Sequence, residues 1–270
     1  MIGREKHHLE RPDGSRLYYE VGGRGEPLVL IRGLSRSSAY WFDFRDLLEQ
    51  QRRVLVLDNR GVGRSSTPRL PWGTEDMADD VADVLRDSGV ERADVFGISL
   101  GGMIAQHLAL RHPHRVRKLV LACTTPGGRG AKRIETRAAL ALARSAAMPF
   151  DRAIRHSAPW VLSADHLKRK PDTVERWIAI AASEPRDRRG VLGQLYAAAR
   201  HEAWSMLHHI EHDTLLLHGD ADRLIHPDNS RRLNGRIPGS TLRWLEGAGH
   251  DFPTERPHAT RDHVLEFTGS

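Results

Sequence analysis

Apolar residues in this chain fall into two kinds of run. Short, nearly unbroken blocks recur: Pro27-Leu28-Val29-Leu30-Ile31, Val54-Leu55-Val56-Leu57, Val95-Phe96-Gly97-Ile98, Val116–Ala122, Thr214-Leu215-Leu216-Leu217-His218 and Thr241–Leu245. Blocks with so little alternation, broken only by Arg117 and Lys118 in one and Arg243 in another, read as buried strands of a parallel sheet. Residues 7–11 and 16–21 read as two further strands around a turn at Pro12-Asp13-Gly14-Ser15. Between the blocks the apolar positions switch to helical spacing. Trp41, Phe44, Leu47 and Leu48 mark a helix over 38–50. Met77, Val81, Val84 and Leu85 mark one over 74–88, with Thr74 as its cap, Glu75 and Asp76 in its first turn and Gly89 as its stop. Met103, Ile104, His107, Leu108 and Leu110 mark a helix running to about His112, and two more are expected over 227–235 and 257–267. Strand–helix alternation of this kind builds a mostly parallel sheet with right-handed crossovers.

The alternation stops at Thr124. Residues 130–147, 151–162, 172–184 and 187–205 read as helices with no strand between them, punctuated by Pro149, Pro159, Pro171 and Pro185. The expected organisation is therefore an α/β core made of residues 1–123 and 207–270. Its mostly parallel, eight-stranded sheet is flanked by helices, and residues 124–206 form a helical lid inserted after the sixth strand. Met148, Phe150, Trp160, Trp177, Ile178, Ile180, Tyr196 and Trp204 supply the lid's bulk. Most of these form lid core, and Trp160, Trp177 and Trp204 are the candidates to line a substrate pocket.

Composition narrows the class. The chain has 270 residues, 39% hydrophobic and 28% charged, enough for a sizeable core and against disorder. Net charge is +6 and the isoelectric point is near 9.9. Lysine occurs only at Lys6, Lys118, Lys132, Lys168 and Lys170, so most of the 41 basic residues are arginine. These arginines are scattered among acids and no nucleic-acid motif accompanies them, which argues for a solvated surface rather than a nucleic-acid or anionic-membrane role. Cys123, the one cysteine, excludes an intrachain disulfide and reads as a buried thiol at a strand end. Met1 to Gly14 lacks an apolar secretory core, and no apolar run approaches a membrane span of about 20 residues. A cytoplasmic monomer or homodimer without metal or cofactor is the expectation. Gly61-x-Gly63 lacks the third glycine and the helix that a phosphate cradle needs.

The chemistry is concentrated at Gly97-Ile98-Ser99-Leu100-Gly101. A Gly-x-Ser-x-Gly turn between a strand and a helix is a nucleophile elbow, in which glycines flank a serine held in a strained backbone. A serine hydroxyl is a weak nucleophile at neutral pH and needs a histidine to take its proton, with a carboxylate to orient the ring. Among 16 histidines, His250 stands out because Gly247-x-Gly249 leads to it from a strand end. Asp222 competes with Asp220 and Asp251 for the carboxylate role. It is favoured because it lies in the loop after the strand, three residues past Gly219. In open α/β sheets such groups gather beyond the carboxyl ends of the strands. Two backbone N–H groups must face the oxyanion; Leu100 supplies one, and Leu34, in the loop after the 27–31 strand, the other.

Taken together, Arg32-Gly33-Leu34, Asp58-x-Arg60-Gly61-x-Gly63-x-Ser65, Gly97-x-Ser99-x-Gly101, His218-Gly219-x-x-Asp222 and Gly249-His250 resemble the α/β-hydrolase superfamily over nearly the whole chain. The lid and the C-terminal blocks are similar to small bacterial esterases and lactonases, including the enol-lactonase and aclacinomycin-methylesterase groups. The resemblance implies a cofactor-free serine hydrolase of a small ester or lactone. Perhydrolysis, acyl transfer or lyase chemistry at the same Ser/His pair is the alternative, and a ligand-binding protein on this fold is a further one. One departure stands out. Members usually carry His-Gly in the oxyanion loop, and here Arg32 takes the histidine's place. Its guanidinium either braces the loop or attracts a substrate carboxylate.

Overall fold

The computed structural model describes residues 3–146 and 148–269. Eight strands form one sheet: β1 (Glu5–Glu10), β2 (Arg16–Gly22), β3 (Pro27–Ile31), β4 (Arg53–Asp58), β5 (Ala93–Ile98), β6 (Val116–Ala122), β7 (Thr214–Gly219) and β8 (Thr241–Leu245). Their spatial order is β1-β2-β4-β3-β5-β6-β7-β8. β1 and β2 pair antiparallel with each other, and β2 runs antiparallel to β4; every pairing from β4 to β8 is parallel. Successive residues of the central strands feed two separate cores. Val29, Ile31, Leu55, Val95, Leu119 and Leu216 belong to one, and Leu28, Leu30, Val54, Phe96, Val120 and Leu217 to the other. The period of two explains why these strands must be apolar throughout.

On the first face lie α2 (Thr74–Asp87), α3 (Leu100–Arg111) and α9 (Asp228–Asn234); on the second lie α1 (Phe42–Glu49), α10 (Phe252–Glu255) and α11 (Pro257–Thr268). Between β6 and β7 the chain forms α4 (Thr136–Ala146), α5 (Phe150–Val161), α6 (Ala164–Arg169), α7 (Asp172–Ser183) and α8 (Arg188–Arg200), with no strand among the described residues there. No described helix is long and apolar enough to cross a membrane.

Several local expectations are corrected. The helix expected over 38–50 is two pieces, a 3₁₀ turn at Ser38–Trp41 and α1, because Phe42 sits at φ 42° between them. α4 starts at Thr136 rather than 130; Gly127 and Gly128 adopt positive φ there and a 3₁₀ turn occupies Gly128–Gly130. The other end of that expected helix, residue 147, lies outside the described residues, as do the first two residues of the Met1–Gly14 stretch. α6 is an additional helix, capped by the Ser163 hydroxyl, which accepts from His166 N–H at 3.2 Å. α8 ends at Arg200 instead of 205, since the chain turns back to pair Ala203 N–H with Pro126 C=O at 3.0 Å. Gly73, not Thr74, caps α2. Asp76 accepts from Gly73 N–H at 2.7 Å, while the Thr74 hydroxyl turns towards His201 Nδ1 at 3.3 Å.

Candidate active site

β5 ends in a sharp turn that puts Ser99 at φ 57° and ψ −120°, a left-handed conformation that a side-chain-bearing residue holds only under constraint. The constraint is visible. Ser99 N–H donates to Ala122 C=O (2.9 Å), and its own carbonyl accepts from Gly102 N–H (2.9 Å) and the Thr124 hydroxyl (2.8 Å). The flanking glycines have no room for a side chain. A Cβ on Gly97 would meet Gly101 C=O at 2.3 Å, and one on Gly101 would meet Ile31 C=O at 2.0 Å.

The loop after β3 packs directly on the serine. A Cβ on Gly33 would lie 3.1 Å from Ser99 Cβ and 3.6 Å from Ser99 Oγ. Asn59 Nδ2 holds Arg32 C=O at 3.0 Å, and Gln194 Oε1 of α8 accepts from Ser35 N–H at 2.8 Å. Between these anchors, Leu34 N–H has no protein acceptor among the described residues. Leu100 N–H, at the first turn of α3, has none either. Two unpaired donors beside one serine are the makings of an oxyanion site.

Asp222 and His250 come from the loops after β7 and β8. A Cβ on Gly219 would meet the Ala248 and Gly249 carbonyls within 2.4 Å, so only glycine lets the two loops approach. Asp222 Oδ2 accepts from His250 Nδ1 at 2.8 Å, while Oδ1 accepts from the N–H groups of Leu224 (2.7 Å) and Ile225 (2.9 Å). Burial acts to raise the Asp222 carboxyl, but His250 and His218 together hold it well below the usual carboxylate range. Asp222 is thus an ionised, fully coordinated acceptor that fixes His250 with its proton on Nδ1. No hydrogen bond joins Ser99 Oγ to His250 Nε2 among the described residues; catalytic contacts of this kind often tighten only as substrate binds. Asp220 instead accepts from Gly247 N–H at 2.6 Å.

Asp251 has another partner. Arg32 is buried, and its guanidinium donates twice to the Asp251 carboxylate, at 2.8 and 2.9 Å, and once to Tyr40 C=O at 2.8 Å. It also stacks 4.6 Å from the Trp41 ring centroid. Of the two roles open to Arg32 in the sequence, the structure shows the brace. The guanidinium ties the Leu34 loop to the His250 loop and is not offered to a ligand.

The three tryptophans do not converge. Trp177 is fully buried with Tyr40, Ala158, Leu162 and Val174. Trp160 lines a cavity of about 270 Å³ with Leu140 and His156. Trp204 packs against Gly130 and lies under Arg236, on the core of the first sheet face.

Sequence reasoning missed three features. His218 is fully buried and places Nε2 3.3 Å from Asp222 Oδ2, with Nδ1 2.7 Å from the Ser230 hydroxyl. Its position one residue from the end of a buried strand signalled as much. Glu255 clamps the His250 loop to the α5–α6 junction, accepting from Ser163 N–H (2.8 Å), Ser163 Oγ (2.6 Å) and Gly249 N–H (3.1 Å). Arg36 is the third and is treated below. Cys123 Sγ, Asp222 and His250 lie within 4.8 Å of one another, a spacing that suits a cation. However, burial and the Asp222 charge push the Cys123 thiol well above its ordinary range, and Asp222 is already saturated with donors. The donor set fits a proton-transfer pair better than a metal.

Residues 26–257 match the model of the α/β hydrolase fold family. The poly(3-hydroxyalkanoate) depolymerase of Ectopseudomonas oleovorans is 32% identical over 244 residues, covering 89% of this chain and 83% of its own. RutD of Variovorax paradoxus (strain S110), assigned as a carbamate hydrolase, is 33% identical over 93% of this chain and 95% of its own. Among solved structures, Est816, described as an N-acyl homoserine lactone degrading enzyme, superposes with a TM-score of 0.84 at 27% identity, covering 97% of this chain and all of that one. The chain belongs to the α/β-hydrolase family and is an esterase-type hydrolase.

Proposed function

We propose that the protein hydrolyses a carboxylic ester or lactone through an acyl-enzyme on Ser99. Ser99 Oγ attacks the acyl carbon and gives its proton to His250 Nε2. Asp222 holds Nδ1–H and stabilises the imidazolium. The N–H groups of Leu34 and Leu100 bind the oxyanion, each contributing about 3–4 kcal/mol to the transition state. The imidazolium then protonates the departing alkoxide. Water, deprotonated by His250, attacks the acyl carbon; Ser99 Oγ leaves with the proton returned by His250, freeing the acid. Helices α4–α8 act as the lid over this site. Gln194 of α8 and the Ser163–Glu255 clamp join them to the oxyanion loop and the His250 loop.

The observation that carries this reading is the elbow conformation of Ser99 with Gly33 packed against it, together with the buried Asp222–His250 pair. The activities that the relatives' names carry are consistent with it: a polyester, a lactone and a carbamate all present an acyl carbon to a nucleophile. The test is hydrolysis of p-nitrophenyl esters of rising chain length and of homoserine lactones. Wild type should turn over at least one series, and Ser99→Ala should lose at least 10³-fold in kcat, roughly the scale set by loss of a triad member. A Ser99→Ala protein that keeps its rate would refute the mechanism.

A further inference from the structure

The arginines nearest the oxyanion loop are ion-paired among the described residues, and Arg36 is not. Arg32 is bonded to Asp251, Arg60 to Asp80 at 2.6 Å, and Arg64 to Asp58 at 2.9 Å and Glu20 at 3.1 Å. Glu184 accepts from the Ser37 hydroxyl at 2.7 Å. Arg36 forms no ion pair with any described residue. Its guanidinium lies between two aromatic rings, 4.5 Å from the Tyr40 centroid and 4.2 Å from that of Trp177. Tyr40 and Trp177 are both buried, and the Tyr40 hydroxyl donates to Trp177 C=O at 3.1 Å, so the sandwich is rigid.

The location matters as much as the missing partner. Arg36 N–H donates to Gly33 C=O at 3.3 Å, in the same turn that carries Leu34 and rests on Ser99. The guanidinium feels both Asp251, next to His250, and Arg32, but those two charges neutralise each other. Arg36 is only partly accessible. Burial lowers its pKa from the usual arginine value, which is the signature of a cation desolvated without compensation. A cation kept in that state is costly. Stacking between rings fixes the plane of a guanidinium, and a fixed, planar fork of N–H donors suits a planar, two-oxygen acceptor.

We propose that Arg36 is the subsite for a carboxylate on the substrate, so that the preferred ester or lactone is an anionic one. This rests on the serine-hydrolase reading above and names its substrate class. The role that the sequence left open for Arg32 passes to Arg36, four positions further on, because Arg32 is already neutralised.

The test uses a matched pair: p-nitrophenyl butyrate, which is neutral, and mono-p-nitrophenyl succinate, which carries a carboxylate at a similar length. Turnover of either by wild type and its loss in Ser99→Ala address the hydrolase reading alone. The Arg36 subsite is read from the ratio of kcat/KM, succinate over butyrate. Arg36→Gln should lower that ratio at least tenfold, mainly through KM, and Arg36→Lys should recover part of it. In wild type, added NaCl should raise KM for the succinate ester and leave KM for the butyrate ester in place, because salt screens the ion pair. This wild-type readout stands even where a variant fails to fold. A ratio within twofold of wild type in folded Arg36→Gln, or equal salt dependence for the two esters, would overturn the proposal and leave Arg36 a brace between Tyr40 and Trp177.

Discussion

Replacing Arg32 by Met should be among the most destabilising single changes near the site. The substitution keeps most of the aliphatic volume against Trp41 and removes the three hydrogen bonds to Asp251 and Tyr40. Asp251 is left buried with one side-chain donor, the Thr254 hydroxyl at 3.0 Å. Breaking a buried pair from one side costs about 3–5 kcal/mol, because a charge stays in the interior without compensation. For a chain of this size that lowers Tm by roughly 6–20 °C. Urea denaturation at pH 7 gives the free energy. Arg32→Met/Asp251→Leu should recover most of the loss, since the pair as a whole is worth far less than the penalty for orphaning one member. The pH dependence has a definite sign. Burial acts to raise the Asp251 carboxyl and Arg32 outweighs it, so the folded pKa lies below the ordinary value. The pair's contribution is present above about pH 4 and fades as pH falls through the folded pKa. Without Arg32, burial favours the protonated acid, and the difference between wild type and Arg32→Met should narrow at pH 4. A loss below about 1 kcal/mol in the single variant, or a double variant no better than the single, would refute this account of the Arg32–Asp251 link.

Gly101→Ala should cost about 3 kcal/mol or more in urea unfolding, because its Cβ meets the Ile31 and Arg32 carbonyls, which are backbone and cannot swing away; a change under about 0.5 kcal/mol would contradict that packing. Acid stability should also respond to His201. Burial, with His107 adding repulsion, drops its pKa from the ordinary imidazole value to about 3. The unfolded state then binds the extra proton between about pH 6.5 and pH 3, so stability falls on acidification by about 1.4 kcal/mol per pH unit, or about 2 kcal/mol at pH 5. His201→Asn should flatten the stability profile between pH 5 and 6.5, and an unchanged slope there would sink the assignment.

The sheet, and the strand-end positions of Ser99, Asp222 and His250, were legible because both depend on short-range signals. Buried parallel strands are continuous apolar blocks, and Ser99, Asp222 and His250 each follow such a block through a glycine-punctuated turn. What the sequence hid is set by pairing across the chain. Asp251 stands beside His250 and competed with Asp222 on position alone. Its bond to Arg32, 219 residues away, assigns both side chains, and no local pattern announces it. Thr74 had the right residue type for a cap, yet a contact with His201, 127 residues on, draws its hydroxyl elsewhere. Trp160, Trp177 and Trp204 looked equivalent as bulky residues in a helical stretch. Their separation into a buried core, a small cavity and the sheet face follows from helix packing angles, which hydrophobic spacing does not encode. Arg36 was invisible for the same reason, since an unpaired arginine is recognised only once every acid around it has been given a partner.

The central claim is that Ser99 is an activated nucleophile, and a fluorophosphonate probe tests it most directly. Intact-mass spectrometry should show one phosphonyl adduct on wild type, and peptide mapping should place it on Ser99. Ser99→Ala should take up none, and Asp222→Asn should react far more slowly, because the His250 ring would lose the acceptor that sets its tautomer. A folded wild-type protein that stays unlabelled under conditions where a control serine esterase reacts to completion, or an adduct on any residue other than Ser99, would contradict the account.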